Sequence, residues 1–169
     1  MTLYHGTNLD IQSIDLTLCR PYKDFGRGFY TTELFEQAQK MAKRVVKIYG
    51  GTPIVNIYET PDDLMQRTEL NIMDFGNVPS KNWAIFVMNN RNKRFADYES
   101  AECNFDLKYD IVVGPIADDD MAVLFRQYQN SMISLDMLIN GMTYKETTSQ
   151  YSFHTERAIR LLKKVGVSS

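Results

Sequence analysis

Nine residues, Asp24-Phe25-Gly26-Arg27-Gly28-Phe29-Tyr30-Thr31-Thr32, constrain the fold more than any other stretch. Two glycines and an arginine lead into an aromatic pair and two threonines, and a helical pattern begins immediately afterwards. Glycine has no Cβ and reaches positive φ at little cost, so the segment reads as a tight turn feeding a short strand. Alternation along that strand sends Phe29 and Tyr30 to opposite faces. One ring serves a core, and the other is free to lie over a flat group in a pocket.

The helix after the turn is predicted over 33–49 from Phe35, Ala38, Met41, Ala42, Val45 and Tyr49, which recur at three-to-four spacing. Thr31 or Thr32 is the expected cap, and Gly50-Gly51 the stop. Strands are expected at 2–7, 28–32, 53–59, 109–116 and 149–154, with a weaker signal at 69–73. Ser80 opens a helix over 81–90, and Asp118, Asp119 and Asp120 open one reaching 127. Further helices are predicted at 131–140, ended by Gly141, and at 156–164. Residues 8–23 read as a loop. Regular β-α-β alternation is missing, which favours an α+β fold with short sheets and peripheral helices over a doubly wound parallel sheet.

Length and composition narrow the function classes. The 169 residues suit one domain spanning 1–169, and 44% hydrophobic residues suffice for a core. A net charge of −2 argues against broad binding to a phosphate backbone. Cys19 and Cys103 have neither CxxC spacing nor the density of a disulfide scaffold, so they read as free thiols in a reducing compartment. With no leader pattern and no apolar run long enough to cross a bilayer, a cytoplasmic protein is expected. No metal is expected.

Two short motifs accompany the glycine turn. His5-Gly6-Thr7 ends the first strand, where an imidazole can bond a sugar hydroxyl through one nitrogen while the other fixes its tautomer. Gln150-Tyr151-Ser152-Phe153-His154 alternates, with Gln150, Ser152 and His154 on one face and the two rings on the other. Taken singly, the first motif reads as a satisfied histidine, the glycine turn as a core hairpin and the last as a solvated strand face.

Taken jointly, Tyr4–Thr7, Asp24–Thr32, Tyr109–Asp118 and Gln150–Thr155 resemble an uncharacterised bacterial family of the ADP-ribosyltransferase superfamily. The resemblance is to its diphtheria-toxin-like branch, which carries a His-Tyr-Glu type of triad. It implies a split β-sheet core, NAD as substrate and mono-ADP-ribosylation of an unknown acceptor (protein, nucleic acid or small molecule). By this resemblance His5 bonds the ribose beside nicotinamide. Gly6 holds the carboxamide through its backbone, Thr7 supports it, and Tyr30 stacks on the ring. Gly28 belongs to the cofactor-binding turn, and Phe35 or Met41 stands where some relatives carry a second stacking tyrosine. Gln150 occupies the place of the catalytic glutamate. Arg20, ahead of Lys23 and Arg27, is the candidate for the pyrophosphate, and Asp24 is expected to brace the loop. Glu156 is a nearby acid expected to face elsewhere.

A glutamine keeps hydrogen bonds but loses the charge that stabilises a cationic centre. Gln150 therefore leaves a second expectation open, an inactive module that binds NAD or ADP-ribose. An unrelated α+β interaction domain is a third. Relatives of this kind often act as toxins or effectors, an expectation by analogy of fold alone.

Overall fold

A computed structural model describes residues 1–99, 102–143 and 148–169. The described residues form an α+β fold with two sheets. The first sheet is antiparallel, with β1 (Thr2–Thr7), β3 (Ile54–Glu59) and β7 (Lys163–Ser168) in the order β1-β3-β7. The second has the order β2-β6-β5-β4, built from β2 (Phe29–Thr31), β6 (Ser149–Phe153), β5 (Ile111–Pro115) and β4 (Ile72–Asp74). Among these strands only β4 and β5 run parallel. Among the described residues a single bridge, Tyr4 to Thr32, joins the sheets.

Helix α1 (Phe35–Tyr49) lies on β1 through its small face, Ala38 and Ala42. A Cβ at Gly6 would stand 1.8 Å from the Ala38 carbonyl oxygen, so this glycine is what lets helix and strand touch. The helix begins two residues later than expected. Leu34 holds the cap position without a side-chain bond of its own; the Thr31 and Thr32 hydroxyls donate to the Tyr151 and Ser149 carbonyls, and Thr32 Oγ1 also accepts from the Leu34 N–H at 3.2 Å. Gly50, at φ 76°, ends the helix as expected.

Helices α2 (Lys81–Arg91), α3 (Asp119–Gln129) and α4 (Leu135–Thr143) cover one face of the second sheet. Ser80 caps α2 by accepting from the Trp83 N–H, and Asp118 caps α3 by accepting from the Met121 N–H. Trp83, Phe86, Phe125, Leu138 and Met142 pack there against Val112 and Phe25. The expected stop at Gly141 is corrected, since α4 runs through it. A Cβ there would meet the Leu124 side chain at 3.1 Å, so Gly141 permits the α3–α4 contact. The opposite face of the second sheet presents Phe29, Ile111, Val113 and Phe153 to Leu3 and Tyr58 of the first sheet.

The expected helix over 156–164 is corrected. Thr155 caps a four-residue helix, α5 (Glu156–Ile159), and the chain then becomes β7. Lys163-Lys164-Val165-Gly166-Val167-Ser168 has period two, not three to four, and β3 supplies an open edge for it. A buried carboxylate fastens this corner. Asp110 accepts from the Thr155 hydroxyl at 2.5 Å, from Arg157 at 2.6 and 2.5 Å, and from the Asn71 N–H at 2.8 Å. Burial pushes its pKa up, but the bonds from Arg157, Thr155 and Asn71 outweigh it and hold the group below the ordinary carboxylate range. Cys19 and Cys103 are not joined in a disulfide. No helix of the described residues is long and apolar enough to cross a membrane.

Candidate functional site

The site lies where the two sheets part. Tyr4 and Thr32 exchange both backbone bonds, at 2.8 and 3.0 Å. A continued antiparallel ladder would next pair Gly6 with Tyr30, but no such bridge forms, and β1 and β2 belong to separate sheets. The His5 ring intervenes: its Nδ1 lies 2.7 Å from the Tyr30 carbonyl oxygen. A carbonyl only accepts, so Nδ1 carries the proton and Nε2 keeps a lone pair. The ring is braced by stacking on Phe29 at 4.4 Å between centroids. Burial lowers the His5 pKa, and the bond to Tyr30 opposes this only in part, so the ring is neutral near pH 7.

Strand alternation directs the Gly6 N–H and C=O toward β2, as it does those of Tyr4, and hence into the split. Gly6 thus has two roles, since its missing side chain admits α1 while its peptide edge faces the opening. Thr7, beyond it, bonds weakly to the Asn8 side chain at 3.5 Å.

Tyr30 is half-buried, and its hydroxyl is tied into the glycine turn. It accepts from the Phe25 N–H at 3.0 Å and donates to the Gly26 carbonyl at 2.7 Å. Burial first, and the Asp24 charge second, push its pKa well above the usual value, so it remains a donor. Phe25 stacks at 6.4 Å from the ring and His154 meets it edge-on at 6.3 Å. The two glycines of the turn have different roles. Gly26 takes the positive φ, 89°, whereas a Cβ at Gly28 would stand 2.7 Å from His154 Nδ1. The missing side chain of Gly28 thus makes room for His154 beneath the turn to which the resemblance assigns cofactor binding.

Gln150 sits on β6 on the same face as Tyr30, because Tyr30 pairs with Ser152. Its Nε2 donates to Asp24 Oδ2 at 2.9 Å. Asp24 reaches well beyond its own loop. Arg91 donates to Oδ1 from Nε at 2.9 Å and from Nη2 at 2.6 Å, and the Ala117 N–H donates to Oδ2 at 3.2 Å. The glycine turn is thereby clamped to α2, to the end of β5 and to β6. Tyr30 and Gln150 are both held by residues 24–26, while His5 meets Tyr30 only through its backbone and Phe29 through its ring.

The other expected residues divide. Arg20 is exposed and committed to Tyr49 of α1, bonding its hydroxyl and lying over its ring at 5.1 Å. Arg27 donates to the Thr17 carbonyl at 3.2 Å, and Lys23 is exposed. Phe35 meets Tyr4 edge-on at 5.4 Å, so it packs the α1–β1 contact and does not form half of a sandwich. Met41 is 47% exposed. It lies one turn beyond Gln37, which accepts from the Thr148 hydroxyl at 2.6 Å, so it follows the α1 stripe that faces the start of β6. Glu156 is exposed in a cleft of about 320 Å³ with Tyr58, Arg160 and Lys164, and Gln150 does not line that cleft.

Sequence reasoning missed Arg91, Ala117 and Asn56. Asn56 is fully buried in β3, accepts from the Ile11 N–H and donates to the Leu9 carbonyl, and so fixes the start of the loop that follows β1. An asparagine amid Ile-Val-Asn-Ile-Tyr was the available signal.

Among the described residues, no group of three or more His, Cys, Asp or Glu side chains is placed to hold a metal ion. No curated protein and no solved structure matches the chain. A family profile described as a protein of unknown function (DUF3990) matches residues 1–164, nearly the whole length. The chain belongs to the DUF3990 family.

Proposed function

We propose that this protein is an NAD-dependent mono-ADP-ribosyltransferase that transfers ADP-ribose to an acceptor and releases nicotinamide. One observation carries the reading: the His5 imidazole interrupts the β1–β2 ladder at the split between the sheets. That interruption leaves a fixed Nε2 acceptor suited to a ribose hydroxyl. Beside it, the Gly6 N–H and C=O are a donor and acceptor spaced like the edge of a carboxamide. Tyr30 offers its ring for stacking on nicotinamide, Met41 is the flanking apolar contact from α1, and Gln150 bonds the ribose. The chemistry is positioning of a glycosidic bond that breaks with cationic character.

A second reading, a module that binds NAD or ADP-ribose without turnover, is favoured by one observation. Gln150 is neutral, and its amide is already bonded to Asp24.

Nicotinamide release from NAD and NAD binding by calorimetry test both. Loss of release and binding in His5→Ala and Tyr30→Ala is the expected result. Tyr30→Phe is a weaker test, because it frees the Phe25–Gly26 turn while keeping the ring. Binding with no release under any acceptor condition selects the module, and wild-type protein that neither binds nor cleaves NAD overturns both.

A further inference from the structure

We infer that Asp24 is a positioning residue for Gln150, the two forming one carboxylate–carboxamide unit whose negative charge sits on the glycine turn instead of on β6. The ligand part of this inference rests on the NAD reading above, whereas the coupling rests on geometry alone. An ionised carboxylate accepts hydrogen bonds and donates none. The Gln150 atom facing Asp24 at 2.9 Å must therefore be Nε2, and Oε1 points away from it. Asp24 in turn is held from three sides, by Arg91 through two bonds, by the Ala117 N–H and by Gln150. The side chain of Asp24 is 13% exposed and Gln150 is 9% exposed, so neither moves freely to another partner. Gln150 is thus presented to the site as a fixed acceptor, the hydrogen-bonding half of what a glutamate would provide.

The same geometry explains why this position is not a glutamate. A carboxylate there would face Asp24 at hydrogen-bond distance in a largely water-excluded corner. Two like charges at that separation cannot both stay ionised without strong repulsion, and one must hold a proton. Arg91 already gives two bonds to Asp24, and the Tyr30 hydroxyl is occupied by the turn, so the charged and titratable groups facing the pair leave no spare cation for a second carboxylate. Glutamine, a neutral donor of glutamate's size, is compatible with Asp24 at this position.

The test is an exchange of the two side chains. Wild type, Asp24→Asn, Gln150→Glu and the double variant are compared by melting temperature at pH 7 and pH 5, by NAD calorimetry and by nicotinamide release. Each single variant is expected to melt lower than wild type at pH 7. Asp24→Asn also weakens NAD binding roughly tenfold, the effect of losing one charge-assisted hydrogen bond. The double variant recovers the part of both losses that belongs to the pair, since the new carboxamide on the turn donates to the new carboxylate on β6 and still accepts from Arg91, while the Ala117 N–H loses its acceptor wherever Asp24 is asparagine. Gln150→Glu gains melting temperature relative to wild type at pH 5, where a proton bridges the pair. Additive melting losses in the double variant, or no pH-dependent gain in Gln150→Glu, overturn the coupling. Asp24→Asn binding NAD as wild type does overturns the positioning role. A coupled, pH-sensitive pair in a protein that binds no NAD upholds the unit and overturns the NAD reading instead.

Discussion

The two histidines of this chain make the same first bond and differ in the second. His5 Nδ1 donates to the Tyr30 carbonyl and His154 Nδ1 to the Arg27 carbonyl, each at 2.7 Å, so both rings grip the turn–strand segment that carries Gly28. His154 is 2% exposed, and its Nε2 meets the Ser152 hydroxyl at 2.8 Å. The half-buried His5 has no partner for Nε2 among the described residues. One imidazole is satisfied at both ends and locks β2 to β6, while the other is satisfied at one end and keeps an oriented lone pair at the split. The difference separates a histidine bonded at both ring nitrogens from one whose Nε2 is available to the ligand proposed above.

The largest expected effect comes from breaking the lock. His154→Ala removes a buried ring, strands the Arg27 carbonyl and opens a cavity beside Tyr30. It is expected to cost about 3 kcal/mol or more, read as a lower midpoint in urea unfolding.

Acid should reach the same lock without mutation. Burial is the main cause that lowers the His154 pKa to about 4, and the Arg27 carbonyl opposes it only in part. Between about pH 4 and the unfolded value near 6.5 the unfolded chain binds the proton and the native state does not. Stability therefore falls on acidification through that window, by about 3 kcal/mol in total. Asp110 adds to the loss only below its ordinary range, as its bonds to Arg157 and Thr155 are protonated away. The slope between about pH 6 and pH 4.5 should be shallower in His154→Ala than in wild type, and an unchanged slope would show that another group titrates there.

Gly28→Ala has a smaller effect. The added methyl meets His154 Nδ1 at 2.7 Å and the Phe153 carbonyl at 2.8 Å. The strand must shift, at a cost of about 1–3 kcal/mol in thermal unfolding. This loss should shrink only in part when His154 is already alanine, because the imidazole contact is then gone while the Phe153 carbonyl stays at 2.8 Å.

These glycines mark how far the sequence could be read. The turn, the strand after it and the amphipathic α1 were legible because glycine, alternation and three-to-four spacing are local signals. What each glycine meets was not. Gly6 lies against the α1 backbone, Gly28 against His154 and Gly141 against Leu124, all contacts set by tertiary packing. The last segment failed for a similar reason, since β7 exists because β3 has an edge to fill, while the short helix before it ends with its capped turn. In the candidate site, His5, Tyr30 and Gln150 were proposed from their motifs. Arg91 was not, because it comes from α2, 67 residues after the Asp24 it holds. Arg20 and Phe35 were assigned by position in the chain, and each contacts a tyrosine of the fold, Tyr49 and Tyr4 respectively.

The smallest effect on stability should come from His5, and it decides the comparison. His5→Ala removes one bond to the Tyr30 carbonyl and a stacking contact with Phe29 at a half-buried position, at a cost of about 1 kcal/mol. With the ring gone, the Tyr30 carbonyl is free to accept from the Gly6 N–H, and the ladder can extend by one pair beyond the Tyr4–Thr32 bridge. Some of the lost stability is thereby offset, while the peptide edge proposed to hold a carboxamide is consumed. His5→Ala should lose NAD binding and nicotinamide release with a melting temperature near that of wild type, and amide exchange at Gly6 should slow. His154→Ala should give the reverse, a large loss of stability with binding retained at temperatures where it stays folded. If His5→Ala destabilises as strongly as His154→Ala, with faster exchange at Gly6, then the His5 ring is a second lock, and the split between the sheets is held open for packing alone.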